Sequence, residues 1–280
     1  MCQLLGMNCN TPTDILFSFD GFRRRGGLTD HHADGFGIAF FEHAGCRVFL
    51  DYEASAHSSV ADFVHRYPIK STHVIAHIRK ATQGRVALEN THPFQREMWG
   101  QNWIFAHNGN LVDFAPPRGQ FYRPVGDTDS EAAFCMLLER LRQQFDDAPP
   151  AQTLHRAVSD IAAEIREAGI FNFMLSNGQV LFTHCTTHLH YIVRQAPFGE
   201  AHLLDDDVAI DFSSVTTPKD RVAVIATLPL TGNENWQQLA CDELVLFENG
   251  SIIHRDRPAE PRYLSEEEGI AIARSVGVVA

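Results

Sequence analysis

Short β-prone runs on both sides of a pair of amphipathic helices restrict the fold of this chain more than any other feature. Gly37 to Phe41, Cys46 to Tyr52, Val74 to His77 and Trp103 to His107 are each bounded by Gly, Asp, Asn or Pro and predict strands of a sheet. Two helices follow. Asp129 to Phe145 carries Ala133, Cys135, Met136, Leu137 and Leu141, and a second stripe of Leu154, Val158, Ile161, Ala162 and Ile165 ends at Gly169. Strands then return at Asn172 to Ser176, Val180 to Thr183, His190 to Val193, Val222 to Ile225, Leu244 to Glu248 and Ser251 to Ile253. Asn177-Gly178 and Asn249-Gly250 predict two-residue hairpins with positive φ. This order predicts a layered α+β fold, two stacked sheets covered on both outer faces by helices.

The ends of the chain add local signals. Cys2 to Met7 reads as a buried first strand, and Thr11, Pro12 and Asp14 predict a helix start with Pro at the first helical position, ending at Gly26 and Gly27. Arg23, Arg24 and Arg25 then form its solvated last turn, where cations favour the negative dipole end. Ser265 to Arg274 reads as a short capped helix. Ala115 to Val125 and Gln195 to Lys219 are expected as surface loops. Neither separates two self-sufficient halves, so one domain over 1–280 is expected, with a C-terminal extension at about 255–280.

The net charge of -12, with 23 basic against 35 acidic residues, argues against a phosphate-binding groove and hence a nucleic-acid partner. No apolar run approaches the ~18 to 20 residues of a membrane span, and the N-terminus lacks a basic leader, so a cytoplasmic protein is expected. Six cysteines without a CxxC pair predict reduced thiols. Among 15 histidines, only His184, His188 and His190 (HCTTHLH) invite a metal reading. Their spacing matches no recognised ligand set, so no metal and no cofactor is expected.

Cys2 lies directly behind Met1, so removal of Met1 would place a thiol and an α-amine on one residue. With reference pKa values of about 8.5 and 8, the amine can take the thiol proton near neutrality. The competing reading is a cysteine that merely opens a buried strand. Three further sequences put polar groups at strand ends: His77-Ile-Arg79-Lys-Ala-Thr82, His107-Asn108-Gly109-Asn110, and Gly126-Asp127-Thr-Asp129-Ser130-Glu131.

Together with Cys2, these motifs and their spacing resemble the class II glutamine amidotransferases. The resemblance implies a four-layer αββα sandwich of the N-terminal nucleophile (Ntn) hydrolase type, and it implies roles one position at a time. Cys2 matches the nucleophile. Arg79 matches the arginine that takes the substrate α-carboxylate, a task its planar donor fork suits. Asn108 and Gly109 match the oxyanion hole, although Asn-Gly is also a common tight turn. Asp129 matches the aspartate that holds the α-ammonium group, and its place at a helix start also suits an N-cap. Thr82 and His92 match positions that line or brace the pocket, and Asp34-Gly-Phe-Gly37 resembles the family's glycine-bearing strand.

Lys80 and Gln83 depart from the glucosamine-phosphate synthase pattern, where tryptophan and histidine are usual. Nothing after residue 200 resembles a synthase or transferase domain. Phe171 to Ser176 and Ala226 to Thr231, with Glu234 and Trp236, bear a looser similarity to the standalone branch that includes the γ-glutamyl hydrolase of ergothioneine synthesis. The resemblance therefore implies cleavage of glutamine or a γ-glutamyl amide through a Cys2 thioester, releasing glutamate and ammonia or an amine. A glutaminase subunit feeding a separate ammonia-accepting enzyme, a non-catalytic glutamine-binding regulator and a metal-dependent hydrolase are the alternatives.

Overall fold

The computed structural model describes residues 2–277. From the N-terminus the elements are β1 (Gln3–Thr13), α1 (Leu16–Arg24), β2 (Phe36–Glu42), β3 (Gly45–Asp51), α2 (Ser59–Arg66) and β4 (Ser71–Ile78). There follow β5 (Phe94–Met98), β6 (Gln101–Leu111), α3 (Asp129–Gln144), α4 (Ala151–Ile165), β7 (Gly169–Ser176), β8 (Leu181–Cys185) and β9 (His190–Gln195). The remainder holds β10 (Glu200–His202), β11 (Ala209–Asp211), β12 (Arg221–Ala226), β13 (Gln237–Gln238), β14 (Glu243–Glu248), β15 (Ser251–Asp256) and α5 (Glu266–Ser275).

Alternation along the strands builds the layers. One sheet has seven strands in the order β13-β9-β12-β1-β4-β2-β3, and the second has six, β15-β14-β8-β7-β6-β5. In β1, Leu4 points between the sheets, where it meets Ala39, Ile75, Ile104, Ala106 and Met174. Its neighbour Leu5 points outward, into the layer that holds Phe19 and Phe22 of α1 and Ala61 and Val64 of α2. On the far side, Trp103, Phe105, Phe171 and Phe173 pack beneath Phe134, Leu137 and Leu141 of α3 and Leu154 and Val158 of α4. The result is the expected αββα sandwich, and both sheets bury their two faces, which is why their strands read as near-continuous apolar runs. Gly6 permits the close approach of the sheets: a Cβ there would lie 2.7 Å from Met174 Sδ. No helix among the described residues is long and apolar enough to cross a membrane.

Several local expectations change. Thr11 and Pro12 belong to β1, which shifts register after Asn8 and pairs again through Thr13 with Ser71. Sheet pairing therefore overrides the proline signal, and α1 begins at Leu16 with only the Asp14 carboxylate reaching its amide, at 3.2 Å. Arg25 is not solvated. Its guanidinium is buried against Asp205 (2.8 Å) and the carbonyls of Leu228 and Pro229. Asn177-Gly178 sits in a four-residue connection, since Ser176 pairs with Leu181, and only Gly178 has positive φ. Asn249-Gly250 forms the two-residue turn, with φ of 50° and 73°. The segment expected as a loop after Gln195 contains the β10-β11 ribbon, and α2, capped by Ser58, was not foreseen. At the C-terminus β15 runs to Asp256, and Ser265 and Glu268 form a capping box on α5.

Candidate active site

Antiparallel pairing of β1 with β4 aligns Gln3 with Ile78, so the residue before β1 and those after β4 meet at one end of the first sheet. There Cys2 Sγ accepts from the Lys80 amide at 3.2 Å, and the thiol also lies 3.3 Å from the Lys80 carbonyl. Cys2 is 9% exposed. Burial pushes its thiol above the ordinary value, opposed by the Lys80 amide and by the Arg79 charge. Met1, whose removal would free the Cys2 nitrogen expected to serve as base, lies outside the described residues.

Asn108 reaches across from β6 of the second sheet. Its Nδ2 donates to the Cys2 carbonyl at 2.6 Å and lies 3.3 Å from Thr227 Oγ1, which accepts from the Leu4 amide at 2.9 Å. Asn108 Oδ1 is buried with no hydrogen-bond partner among the described residues. Asn108 and Gly109 occupy strand β6 and do not form a turn, so tight-turn chemistry is not what this dipeptide serves. Gly109 is required by space instead: a Cβ would fall 1.9 Å from the Ile170 carbonyl oxygen. Behind Asn108 stands Asn172, whose Nδ2 donates to the Asn108 carbonyl (2.9 Å) and Thr187 Oγ1 (2.8 Å). Its Oδ1 accepts from the Thr186 and Thr187 amides at 2.8 and 3.0 Å.

Arg79 caps β4 and is buried. The backbone of Asp34-Gly-Phe-Gly37 grips it, with Arg79 N donating to Gly35 O at 2.8 Å and Asp34 N to Arg79 O at 3.1 Å. Asp34 Oδ2 also takes the Ala81 amide at 2.8 Å, and Gly37 must remain bare because a Cβ would sit 2.3 Å from the His92 carbonyl. The guanidinium turns toward the loop after Thr82, donating through both terminal nitrogens to the carbonyls of Arg85 (3.0 Å), Gln83 (3.1 Å) and Gly84 (3.4 Å). Thr82 itself is half-buried. Gln83 Nε2 donates to Asn110 Oδ1 at 2.7 Å and to the Leu111 carbonyl at 3.0 Å.

Asp129 is the first residue of α3, and the cap is its neighbour Thr128, which accepts from the Glu131 amide at 3.2 Å. Freed from capping, Asp129 Oδ2 accepts from the Leu111 amide at 2.8 Å. Asp127 differs in being taken by Asn90 Nδ2 at 2.6 Å. Buried Glu131 holds the approach to the helix through the Val125 and Gly126 amides and an ion pair with Arg96.

His92 does not face a solvent-filled pocket. Its ring packs between His77 (4.2 Å) and Phe94 (4.5 Å), and burial holds both imidazoles well below their ordinary pKa. His107 donates Nε2–H to the Ile170 carbonyl at 2.9 Å, and its Nδ1 meets Ser130 Oγ at 2.8 Å. The HCTTHLH histidines diverge: His184 bonds the Phe171 carbonyl, while His190 bonds that of Thr227. Among the described residues no group of three or more His, Cys, Asp or Glu could hold a metal ion.

The structure thus gathers Cys2, Arg79, Asn108, Gly109 and Asp129 at one end of the sandwich and sets His92 beneath it. Asn172, Thr227 and Asn110 were not assigned roles from the sequence. Asn172 did leave a signal, a lone amide inside the apolar run Phe171-Asn-Phe-Met-Leu.

A model of the family described as glutamine amidotransferases class-II matches residues 1–269. The chain is 55% identical to a candidate glutamine amidotransferase of Haemophilus influenzae, over 90% of this chain and 86% of that protein. It is 54% identical to the candidate glutamine amidotransferase YafJ of Escherichia coli, over 88% of this chain and 97% of that protein. A crystal structure of a predicted glutamine amidotransferase from Pseudomonas aeruginosa superposes with a TM-score of 0.74 at 48% identity, covering 90% of this chain and all of that one. At 13% identity the likeness to glutamine phosphoribosylpyrophosphate amidotransferase from B. subtilis is one of fold, with a TM-score of 0.57 over 93% of this chain and 50% of that one.

Proposed function

This chain belongs to the class II glutamine amidotransferases, and we propose that it hydrolyses the side-chain amide of glutamine or of a γ-glutamyl compound through a thioester on Cys2. The observation that carries the reading is the meeting of two sheets at one residue, where the Cys2 thiol sits on the Lys80 amide and the Cys2 carbonyl on Asn108. Removal of Met1 frees the α-amine of Cys2, which takes the thiol proton. The thiolate attacks the amide carbonyl, and the oxygen that becomes negative is met by Asn108 Nδ2 and the Gly109 amide. The α-ammonium group protonates the departing nitrogen as the C–N bond breaks. Water, deprotonated by the regenerated amine, then cleaves the thioester to glutamate. Arg79 and Asp129 hold the α-carboxylate and α-ammonium group of the substrate, and Thr82 and His92 brace the pocket.

The test is glutamate release from glutamine and a panel of γ-glutamyl amides, including a γ-glutamyl amine suggested by the ergothioneine-branch likeness. The protein's intact mass must show Met1 removed. Release is expected from the processed protein and none from Cys2→Ala. Equal release from both would remove Cys2 as nucleophile, and no release from either would overturn the hydrolase reading.

A further inference from the structure

Leu111 joins the two halves of the proposed glutamine-binding apparatus. Its amide donates to Asp129 Oδ2 at 2.8 Å, and its carbonyl accepts from Gln83 Nε2 at 3.0 Å. Gln83 in turn opens the loop whose carbonyls hold the Arg79 guanidinium. That loop closes in a single 3-10 turn, Leu88–Asn90, and Gly84 and Arg85 are exposed. Beyond Gln83 its side-chain ties include Asn90 Nδ2 to the Arg85 carbonyl (3.0 Å), Thr91 Oγ1 to the Ala87 carbonyl (3.0 Å) and the surface pair Arg85–Glu89, a class of contact worth little; none of these three reaches β6. Asn110 extends the chain of bonds. Its Oδ1 takes Gln83 Nε2 at 2.7 Å, and its Nδ2 donates to the Val276 carbonyl at 2.5 Å, just past α5. Val276 is itself fixed, packed with Ile272 and Ala273 of α5 on Ile170 of β7.

We propose that Gln83 and Asn110 are positioning residues that set the spacing between the carboxylate-binding Arg79 and the ammonium-binding Asp129, with the end of α5 as their anchor. The inference rests on the reading above that these two residues hold the α-groups of glutamine. Gln83 supplies the two donors that connect the Arg79 loop to β6. Without them the carbonyls that aim the guanidinium lose their side-chain tie to β6, while Cys2 keeps its bonds to Lys80 and Asn108, which do not involve Gln83. Substrate capture should therefore suffer and the chemical step should not. A half-buried amide that served stability alone would lower the melting temperature and leave affinity unchanged.

The experiment compares Gln83→Met with the parent enzyme in steady-state glutamine hydrolysis, and repeats the substitution in the Cys2→Ala protein to read glutamine binding by calorimetry without turnover. Loss of the two bonds is expected to raise KM and weaken binding about tenfold. kcat should stay within about twofold; the unpaired Asn110 and Leu111 groups will also lower the melting temperature, so the changes in KM and binding are the deciding readout. Asn110→Leu should give a KM rise of the same sign, and the double variant should be no worse than the stronger single one, as for members of one network. Unchanged KM and binding in Gln83→Met would overturn the inference, as would a fall in kcat at constant KM. If the parent turns over no glutamine and Cys2→Ala binds none, the failure lies with the glutamine reading itself.

Discussion

At the scale of single residues, the site is a set of amides and carbonyls with assigned partners, Asn108 Oδ1 excepted, and predictions follow from removing one at a time. The Asn172 side chain makes five hydrogen bonds while fully buried, so Asn172→Ala would orphan the Thr186 and Thr187 amides and the Asn108 carbonyl. It should cost about 2 to 4 kcal/mol of stability, measured by urea unfolding; a change below ~1 kcal/mol would contradict the bracing role. Asn108→Ala should lower kcat roughly 10² to 10³-fold with a smaller effect on KM, since the amide acts on charge that develops during attack. A kcat within about fivefold of the parent would remove Asn108 from the oxyanion hole. Cys2, Arg79 and Asp129 stood out because each sits at a strand end or a helix start beside a short motif, and Asn108, inside β6, stood out through its motif alone. Asn172 and Thr227 did not, because their partners come from the segment after β8 and from β1, beside them in their own sheets, and no local spacing encodes that.

At the scale of elements, the same dipeptide behaves differently according to what its flanks pair with. Asn108-Gly109 lies within a strand, Asn177-Gly178 in a four-residue connection, and Asn249-Gly250 in a two-residue turn. In the last case Gly250 has φ of 73°, its amide donates to buried Asn8 at 2.6 Å, and a Cβ would meet the Arg221 carbonyl at 2.3 Å. Gly250→Ala should therefore destabilise the fold by more than the ~1 kcal/mol of a left-handed residue alone. Gly100 has φ of 72° with nothing within 4 Å of its Cβ position, so Gly100→Ala isolates the backbone cost. Equal losses at the two positions, measured by thermal unfolding, would mean the clash is relieved. Helix α3 was foreseen nearly to its ends because its apolar spacing and its acidic start agree. The start of α1 was misplaced because Pro12 carries a helix-start signal that strand pairing at Thr13–Ser71 overrides.

At the scale of the whole molecule, stacking two sheets between helices buries histidines that a smaller fold would leave wet. Burial holds His73 and His184 at about 4, and His77 and His92 well below the ordinary 6.5. The unfolded chain takes up protons at these groups as pH falls through about 6.5, whereas the native state does not, so stability must fall with acidification. Each such histidine removes about 2 kcal/mol between pH 6.5 and 5, at about 1.4 kcal/mol per unit. The urea midpoint should accordingly drop between about pH 7 and 5; a flat midpoint would show that these rings titrate normally. The sequence by itself determined the layered α+β class, most strands and helices, and the residue types able to cleave an amide, because periodicity and short motifs are local properties. Only the tertiary structure decided that Asn108 crosses from one sheet to the backbone of Cys2 in the other, that Asp129 takes the Leu111 amide of β6, and that Gln83 reaches Asn110, which in turn reaches the end of α5. Those contacts join residues as far apart as 166 positions, and their energies exist only once strand register and sheet stacking have brought the groups within hydrogen-bonding distance.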